Sequence, residues 1–244
     1  MTRRRWIADD WDENSAVLRD AQAEHLARVL RAQVGQEFEV VAGDVVRRGV
    51  VESADNACVR FSLHERLEAA ASLPLIVALS IIRFERMEWA IEKLTELGIK
   101  QLVPLIAQRS EKHLVQSAAK RVERWRKIAR ESAQQSRRSD VPQVSDPVRL
   151  SSWLQEKSEG LRLLLSEQER GQTLRGYLET ALDASIGTSV PPLCTAIGPE
   201  GGWTQAEHDS FVKHGWQPVS LGPRILRAET AAIAMVSVLG AWLD

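Results

Sequence analysis

The chain has 244 residues, of which 44% are hydrophobic and 27% charged, and its formal net charge is -1. That composition excludes an intrinsically disordered chain and a membrane-embedded one, and the near-neutral balance excludes a uniformly basic nucleic-acid binder. The length fits one large domain, or a small domain joined to a larger one.

The opening residues, MTRRRWIADDWDEN, run into acids where a secretory signal needs an apolar stretch, so the expected location is cytoplasmic. Short apolar alternations follow at Phe38, Val40 and Val41 and at Val45, Val46, Val50 and Val51, broken by Gly35, Gly43 and Gly49, which predicts a small β-rich unit. Leu26, Val29 and Leu30 recur at helical spacing, so one short helix over residues 21–30 interrupts the strands. Residues 64–74 (HERLEAAASLP) read as a linker.

Beyond it the pattern alternates between β and α. Residues 75–82 (LIVALSII) suit a strand buried on both faces. Met87, Ala90, Ile91, Leu94 and Leu97 then predict a helix stopped by Gly98. Residues 101–106 (QLVPLI) form another strand, although Pro104 counts against a central place in a sheet. Val122, Trp125, Ile128, Ala129 and Ala133 define a second amphipathic helix whose other face carries Arg121, Arg124, Lys127 and Arg130. Residues 112–140 hold nine lysines and arginines against three acids, a basic segment inside a neutral protein. Strands follow at 161–165 (LRLLL), 193–197 (LCTAI) and 219–221, with helices beginning at the capping-box signature TQAE (204–207) and over 229–243. The apolar run from 231 to 243 falls short of the about 20 residues of a spanning helix, so no membrane partner is expected. Repeated βαβ order implies a mainly parallel sheet covered by helices.

Two loops carry the strongest signals. Residues 197–202 (IGPEGG) join a buried strand to a capped helix, and the missing side chains let a ligand approach the backbone. The loop is neither a P-loop, which needs Lys-Ser/Thr after its last glycine, nor GxGxxG, and Glu200 would repel a pyrophosphate. Residues 221–230 (LGPRILRAET) place a second Gly-Pro turn after a strand end. Two such loops belong where open α/β sheets put their ligand crevice. Cys58 and Cys194 lie in apolar contexts without CxxC spacing, so they read as packed hydrophobes and no metal is expected.

IGPEGGWTQAE (197–207) and LGPRILRAETA (221–231), with EKLTELGI (92–99) and ESAQQSRRSDVP (131–142) upstream, resemble the bacterial small-subunit (16S) ribosomal RNA uridine N3-methyltransferase family of the SPOUT superfamily. RRRWI (3–7) and AEHLARVLR (23–31) resemble that family's opening RNA-binding domain, so the resemblance covers nearly the whole chain. It implies an α/β protein with a small N-terminal PUA-like β-barrel over residues 1–70, followed by a SPOUT methyltransferase domain over 74–244 with a C-terminal trefoil knot, which periodicity cannot reveal. It also implies S-adenosylmethionine held against Leu165, Ile197, Gly198, Gly201, Gly202, Leu221, Gly222, Ile225 and Leu226, a homodimer, and 16S rRNA or the small ribosomal subunit as partner. The sequence departs from the family pattern at Arg137, where a glycine is usual, at Arg83, where a lysine is expected, and at Trp6-Ile7 in place of an aromatic pair.

Methyl transfer from a sulfonium is an in-line displacement in which the protein mainly positions donor and acceptor. The uracil N3 proton must leave, and a cation at a uracil oxygen would stabilise the developing anion. Arg227 is the candidate for that role. Glu229 either orients Arg227, accepts the proton, or stabilises a helix N-terminus. Phosphate contacts are expected from Arg5, Arg31, Arg124, Lys127, Arg130 and Arg138. Trp6 stacks a base or fills a core, and His25 touches RNA or packs. The alternatives are a SPOUT methyltransferase for another RNA such as tRNA, a non-catalytic RNA-binding ribosome-assembly factor and, with the least support, a nucleotide hydrolase.

Overall fold

The computed structural model describes residues 4–156, 160–183 and 192–243; Arg3 of the opening basic motif lies outside them. The chain divides into two compact units, one of residues 1–72 with 130–141 and one of residues 73–129 with 142–244.

The first unit is built from β1 (Trp6–Ile7), β2 (Asp10–Trp11), β3 (Ser15–Arg19), α1 (Asp20–Glu24), β4 (Glu37–Ala42), β5 (Val45–Ala54) and β6 (Cys58–Arg66). They form one curled sheet in the order β1-β4-β5-β6-β3-β2, antiparallel except for the β1–β4 pair. Register shifts along β5–β6, between Arg47 and Gly49 and between Val51 and Ser53, add local twist. Trp6, Leu18, Leu26, Val40, Val59 and Phe61 fill its core. Trp6 is therefore a core residue, with the Arg4 guanidinium 3.9 Å from its ring centre. The helix expected over 21–30 begins at Asp20 and widens into a π-helical turn at His25–Val29, which no hydrophobic spacing signals. The expected linker begins later than read, because residues 64–66 continue β6.

Residues 130–141 join this unit through Ala133, packed with Ile7, Val41 and Val46. Their helix ends in a paired cap: Arg138 N donates to Ala133 O at 2.9 Å and Arg137 N to Gln134 O at 3.3 Å. Arg137 has φ +59°, the left-handed conformation such a cap requires. This explains why a glycine is the expected residue there.

The second unit runs β7 (Leu75–Ser80), α2 (Phe84–Glu96), β8 (Gln101–Ile106), α3 (Lys112–Ala118), a 3₁₀ turn (Ala119–Arg121), α4 (Val122–Gln135), β9 (Gln143–Val144), β10 (Val148–Arg149), α5 (Leu150–Trp153), β11 (Leu161–Leu165), α6 (Leu174–Asp183), β12 (Leu193–Ile197), α7 (Gln205–Lys213), β13 (Gln217–Val219) and α8 (Ala228–Leu243). Of α4, residues up to 129 belong to this unit. Its sheet is wholly parallel, in the order β10-β8-β7-β12-β11-β13, with β9 also on β8. Every residue of β12 is buried, as the continuous apolar run LCTAI requires in a strand covered on both faces. One face, with Ala78, Val103, Leu164 and Ala196, packs with Leu150 of α5 and Phe211 of α7; α8 lies on β7, β12 and α2.

Pro104 is tolerated inside β8 for a local reason. The β9 pairing ends at Leu102 and the β10 pairing begins at Leu105, so the residue without an N–H falls in the gap along that edge. The last strand is Gln217–Val219, two residues earlier than read from sequence. After β13 is laid outside β11, the chain recrosses the strand ends so that α8 can pack on β7 and β12. No helix among the described residues is long and apolar enough to cross a membrane.

Candidate active site

Three adjacent parallel strands, β12, β11 and β13, end at Ile197, Leu165 and Val219, with Leu164 level with Ala196 and Leu165 level with Val219. The loops that follow them therefore emerge along one edge of the sheet. Both glycine motifs and Leu165 lie on that edge.

The first loop is a turn closed by Gly202 N donating to Pro199 O at 2.8 Å. Below it the Trp203 indole donates to Leu165 O at 3.0 Å and packs against Gly198, where an added Cβ would come within 3.2 Å of the ring. On its flank Arg109, from the loop after β8, donates to the carbonyls of Gly201 at 2.8 Å and Trp203 at 3.2 Å. A Cβ on Gly201 would meet the Arg109 stem at 3.3 Å, so a side chain there would have to push Arg109 aside. The α7 capping box forms as read, with Thr204 and Glu207 reciprocally bonded, and Glu207 also accepts from Gln108 N at 2.7 Å.

Gly202 and Gly222 differ from Gly198 and Gly201. Both adopt left-handed backbone, at φ +66° and +101°, and nothing lies within 4 Å of the space a side chain would take. Any L side chain is strained at those angles, and the space beside the bare backbone is open. Further along the second motif Leu226 is half-buried, while Ile225 is 84% exposed.

Arg227 is exposed immediately before α8, with its carbonyl accepting from Ala231 N at 2.8 Å. Glu229, in the first turn of α8, is only 4% exposed, and its Oε2 has no hydrogen-bond partner among the described residues. Arg86 of α2 supplies the neighbouring cation: its Nε lies 3.6 Å from Glu229 Oε1 and its Nη1 3.4 Å from Glu200 Oε1. One guanidinium thus ties the IGPEGG loop to the helix start of the second motif. Arg86 and Arg109 were missed from sequence because neither lies in a glycine motif. The available signal was position, since each follows a strand next to β12 or one removed from it, on the same edge.

The expected phosphate contacts separate into two groups. Arg5 is buried at 8%, bonding Glu39 at 2.7 Å and the carbonyls of Arg137 and Glu68. Arg138 is buried and bonds both oxygens of Asp140 at 2.9 Å, and Arg130 bonds Asp9 at 2.7 Å and Ile7 O at 2.8 Å. These three hold the first unit together. Arg31, Arg124 and Lys127 are exposed, Arg31 in left-handed conformation at φ +53° and Arg124 bound to Glu88 at 2.6 and 2.8 Å. Burial pushes the Cys194 thiol up to about 12, which keeps it protonated and inert. Among the described residues no group of three or more His, Cys, Asp or Glu side chains is placed to hold a metal.

A wholly parallel α/β unit with bare glycine backbone beyond neighbouring strand ends defines the class of α/β proteins that bind a ligand at that edge. A family model for an RNA methyltransferase domain matches residues 69–240, and the chain belongs to that family. Ribosomal RNA small subunit methyltransferase E of Synechocystis is 34% identical over 239 residues, 95% of this chain and 75% of that protein. A putative methyltransferase from Legionella pneumophila, solved in complex with the bound cofactor SAM, is 30% identical with a TM-score of 0.81, covering 97% of this chain and 96% of that one. Ribosomal RNA small subunit methyltransferase E from Neisseria gonorrhoeae, bound to S-adenosyl methionine, is 26% identical with a TM-score of 0.81, covering 98% and 97% of the two chains.

Proposed function

We propose that the chain is a cytoplasmic, homodimeric methyltransferase that uses S-adenosylmethionine to methylate N3 of a specific uridine in 16S rRNA of the small ribosomal subunit. The observation that carries this is the pair of left-handed glycines, Gly202 and Gly222, with open space beside bare backbone in two loops on one strand-end edge. Membership of the RNA methyltransferase family, and similarity to proteins named for small-subunit ribosomal RNA and solved with this cofactor, supply the ligand and the substrate.

The residues fit the cofactor. Ile197, Gly198, Gly201 and Gly202 would hold it on one side and Leu221, Gly222, Ile225 and Leu226 on the other, with Leu165 between, mainly through backbone groups and aliphatic side chains. When bound it supplies the methyl group. The chain itself has to fix the uridine and stabilise charge on it. Arg227, exposed at the start of α8, donates to a uracil oxygen as N3 loses its proton. Glu229, enclosed beside Arg86, serves as an anchor that fixes the start of α8 and hence the direction of Arg227. Arg31, Arg124 and Lys127 meet RNA phosphates.

The same reading assigns a PUA-like barrel to residues 1–70 and the knotted methyltransferase domain to 74–244. The curled sheet supports the first, and the recrossing of the strand ends before α8 supports the second. Trp89 on α2 and Val238 and Trp242 on α8 are exposed on helices that pack together, which supports a second copy of the chain as their cover.

Isothermal titration with S-adenosylhomocysteine tests the cofactor assignment. Saturable 1:1 binding by the native chain, lost in Gly222→Val with its circular dichroism retained, is the expected result. No binding by the native chain would refute it.

A further inference from the structure

Arg83, Phe84, Glu85, Glu88, Arg121 and Arg124 line a hollow of about 450 Å³ between the start of α2 and the turn leading into α4. Its size falls within the about 300–1,000 Å³ typical of ligand pockets. Arg124 is engaged with Glu88 through two bonds. Arg83 reaches an acid only at 4.0 Å, from Glu111. Arg121 lies over the Phe84 ring at 4.9 Å, and Phe84 is backed edge-on by Trp125 at 6.0 Å.

Helix starts are ordinarily capped by Ser, Thr, Asp or Asn, whose oxygens satisfy the first amides. The N-cap of α2 is Arg83, and it gives no side-chain cap. The first-turn amides of α2 thus have no side-chain cap, and Arg83 and Arg121 both line the hollow beside that helix start, a setting that favours an anion. Of the two acids that line the hollow, Glu88 is held by Arg124, and Glu85 would accept from a ribose 2′-hydroxyl. An aromatic ring carrying a guanidinium offers a plane to an unstacked base.

We infer that this hollow holds one nucleotide of the RNA substrate next to the methylated one, its phosphate on Arg83 and Arg121 and its base against the Phe84–Arg121 pair. The inference rests on the RNA methyltransferase reading above. Geometry places the nucleotide beside the reaction centre: Arg83 follows β7, the neighbour of β12, and Arg86, about 4.5 Å further along the helix, already reaches Glu200 of the glycine loop.

The test uses the full chain, tritiated S-adenosylmethionine with small-subunit RNA, and fluorescein-labelled decauridylate as a binding probe. Arg121→Gln and Phe84→Leu should each raise the KM for RNA about tenfold, with the KM for the cofactor unchanged in both and the melting temperature unchanged in Arg121→Gln. Arg121→Gln should also reduce the slope of log affinity against log salt by about 0.7–0.9, the loss of one phosphate contact, whereas Phe84→Leu should leave it unchanged. An RNA KM within twofold of native in Arg121→Gln, an exposed site that tolerates substitution, would overturn the inference. Absence of methyl transfer by the native chain would instead sink the enzymatic reading. Decauridylate would then decide the hollow, with about tenfold weaker binding by the variants supporting it and equal binding overturning it.

Discussion

Arg109 holds the Gly201 carbonyl at 2.8 Å from Nη1, while its stem occupies the space where a Gly201 side chain would project. The IGPEGG loop is therefore shaped by a residue of the β8 loop as well as by its own glycines. Arg109→Met should weaken S-adenosylhomocysteine binding about three- to tenfold, the value of one or two hydrogen bonds to carbonyls. Gly201→Ala displaces the same stem, so the double variant should fall short of the sum of the singles. Calorimetric affinities of the three variants check this, and full additivity would show that the two residues act separately.

Arg227 is the exposed cation at the start of α8. Arg227→Ala should lower kcat by about 10²-fold, the cost of removing one donor to a developing anion. Cofactor affinity and melting temperature should stay near native values. Single-turnover methyl transfer measures this, and unchanged turnover would remove Arg227 from the chemistry.

Arg86 is the cation nearest the buried Glu229 carboxylate, at 3.6 Å. Arg86→Met should destabilise the chain by about 1–3 kcal/mol, less than a fully buried pair because Arg86 is partly exposed. The double variant with Glu229→Gln should recover much of the loss, since no charge then stays enclosed without its partner. Urea titrations of the two singles and the double give the coupling energy, and a coupling near zero would mean that the pair is incidental.

Hydrophobic period made much of this architecture legible. LCTAI gives a central strand because all five residues are buried, and the stripe Met87, Ala90, Ile91, Leu94 gives α2. Both glycine loops and the capping box were visible as local chemistry. Strand order was not, because β12 enters between β7 and β11 through contacts distant in sequence. Arg5 illustrates the same limit: it reads as a phosphate ligand, and only the fold brings Glu39, 34 residues away, against it. The π-helical turn at His25–Val29 left no mark because its residue types suit an α-helix equally well.

Glu39 accepts from both Arg5 and Arg137. Burial pushes its carboxyl up, but the hydrogen bonds and charges of Arg137 and Arg5 outweigh this and leave it below the usual carboxylate range. Its contribution is thus complete above the ordinary glutamate value of about 4.3 and is lost as pH falls through the lower folded value. Glu39→Gln should flatten the acid limb of a melting-temperature profile, and an unchanged limb would contradict this.

Arg137 gains Glu39 while sitting at φ +59°, so its replacements separate the two effects. Arg137→Ala loses the ion pair and keeps the strain, whereas Arg137→Gly loses the pair and relieves it. The glycine variant should be the more stable of the two by about 1 kcal/mol. Denaturant midpoints decide the order, and equal stability would mean that the conformation carries no strain.

The most direct measurement is mass mapping of nucleosides from isolated, unmethylated small ribosomal subunits after incubation with the purified chain and S-adenosylmethionine. One new N3-methyluridine in the 16S rRNA, accumulating about 10²-fold more slowly with Arg227→Ala, is the predicted result. A chain that binds S-adenosylhomocysteine yet leaves every uridine of the small-subunit RNA unmodified would contradict the proposed substrate.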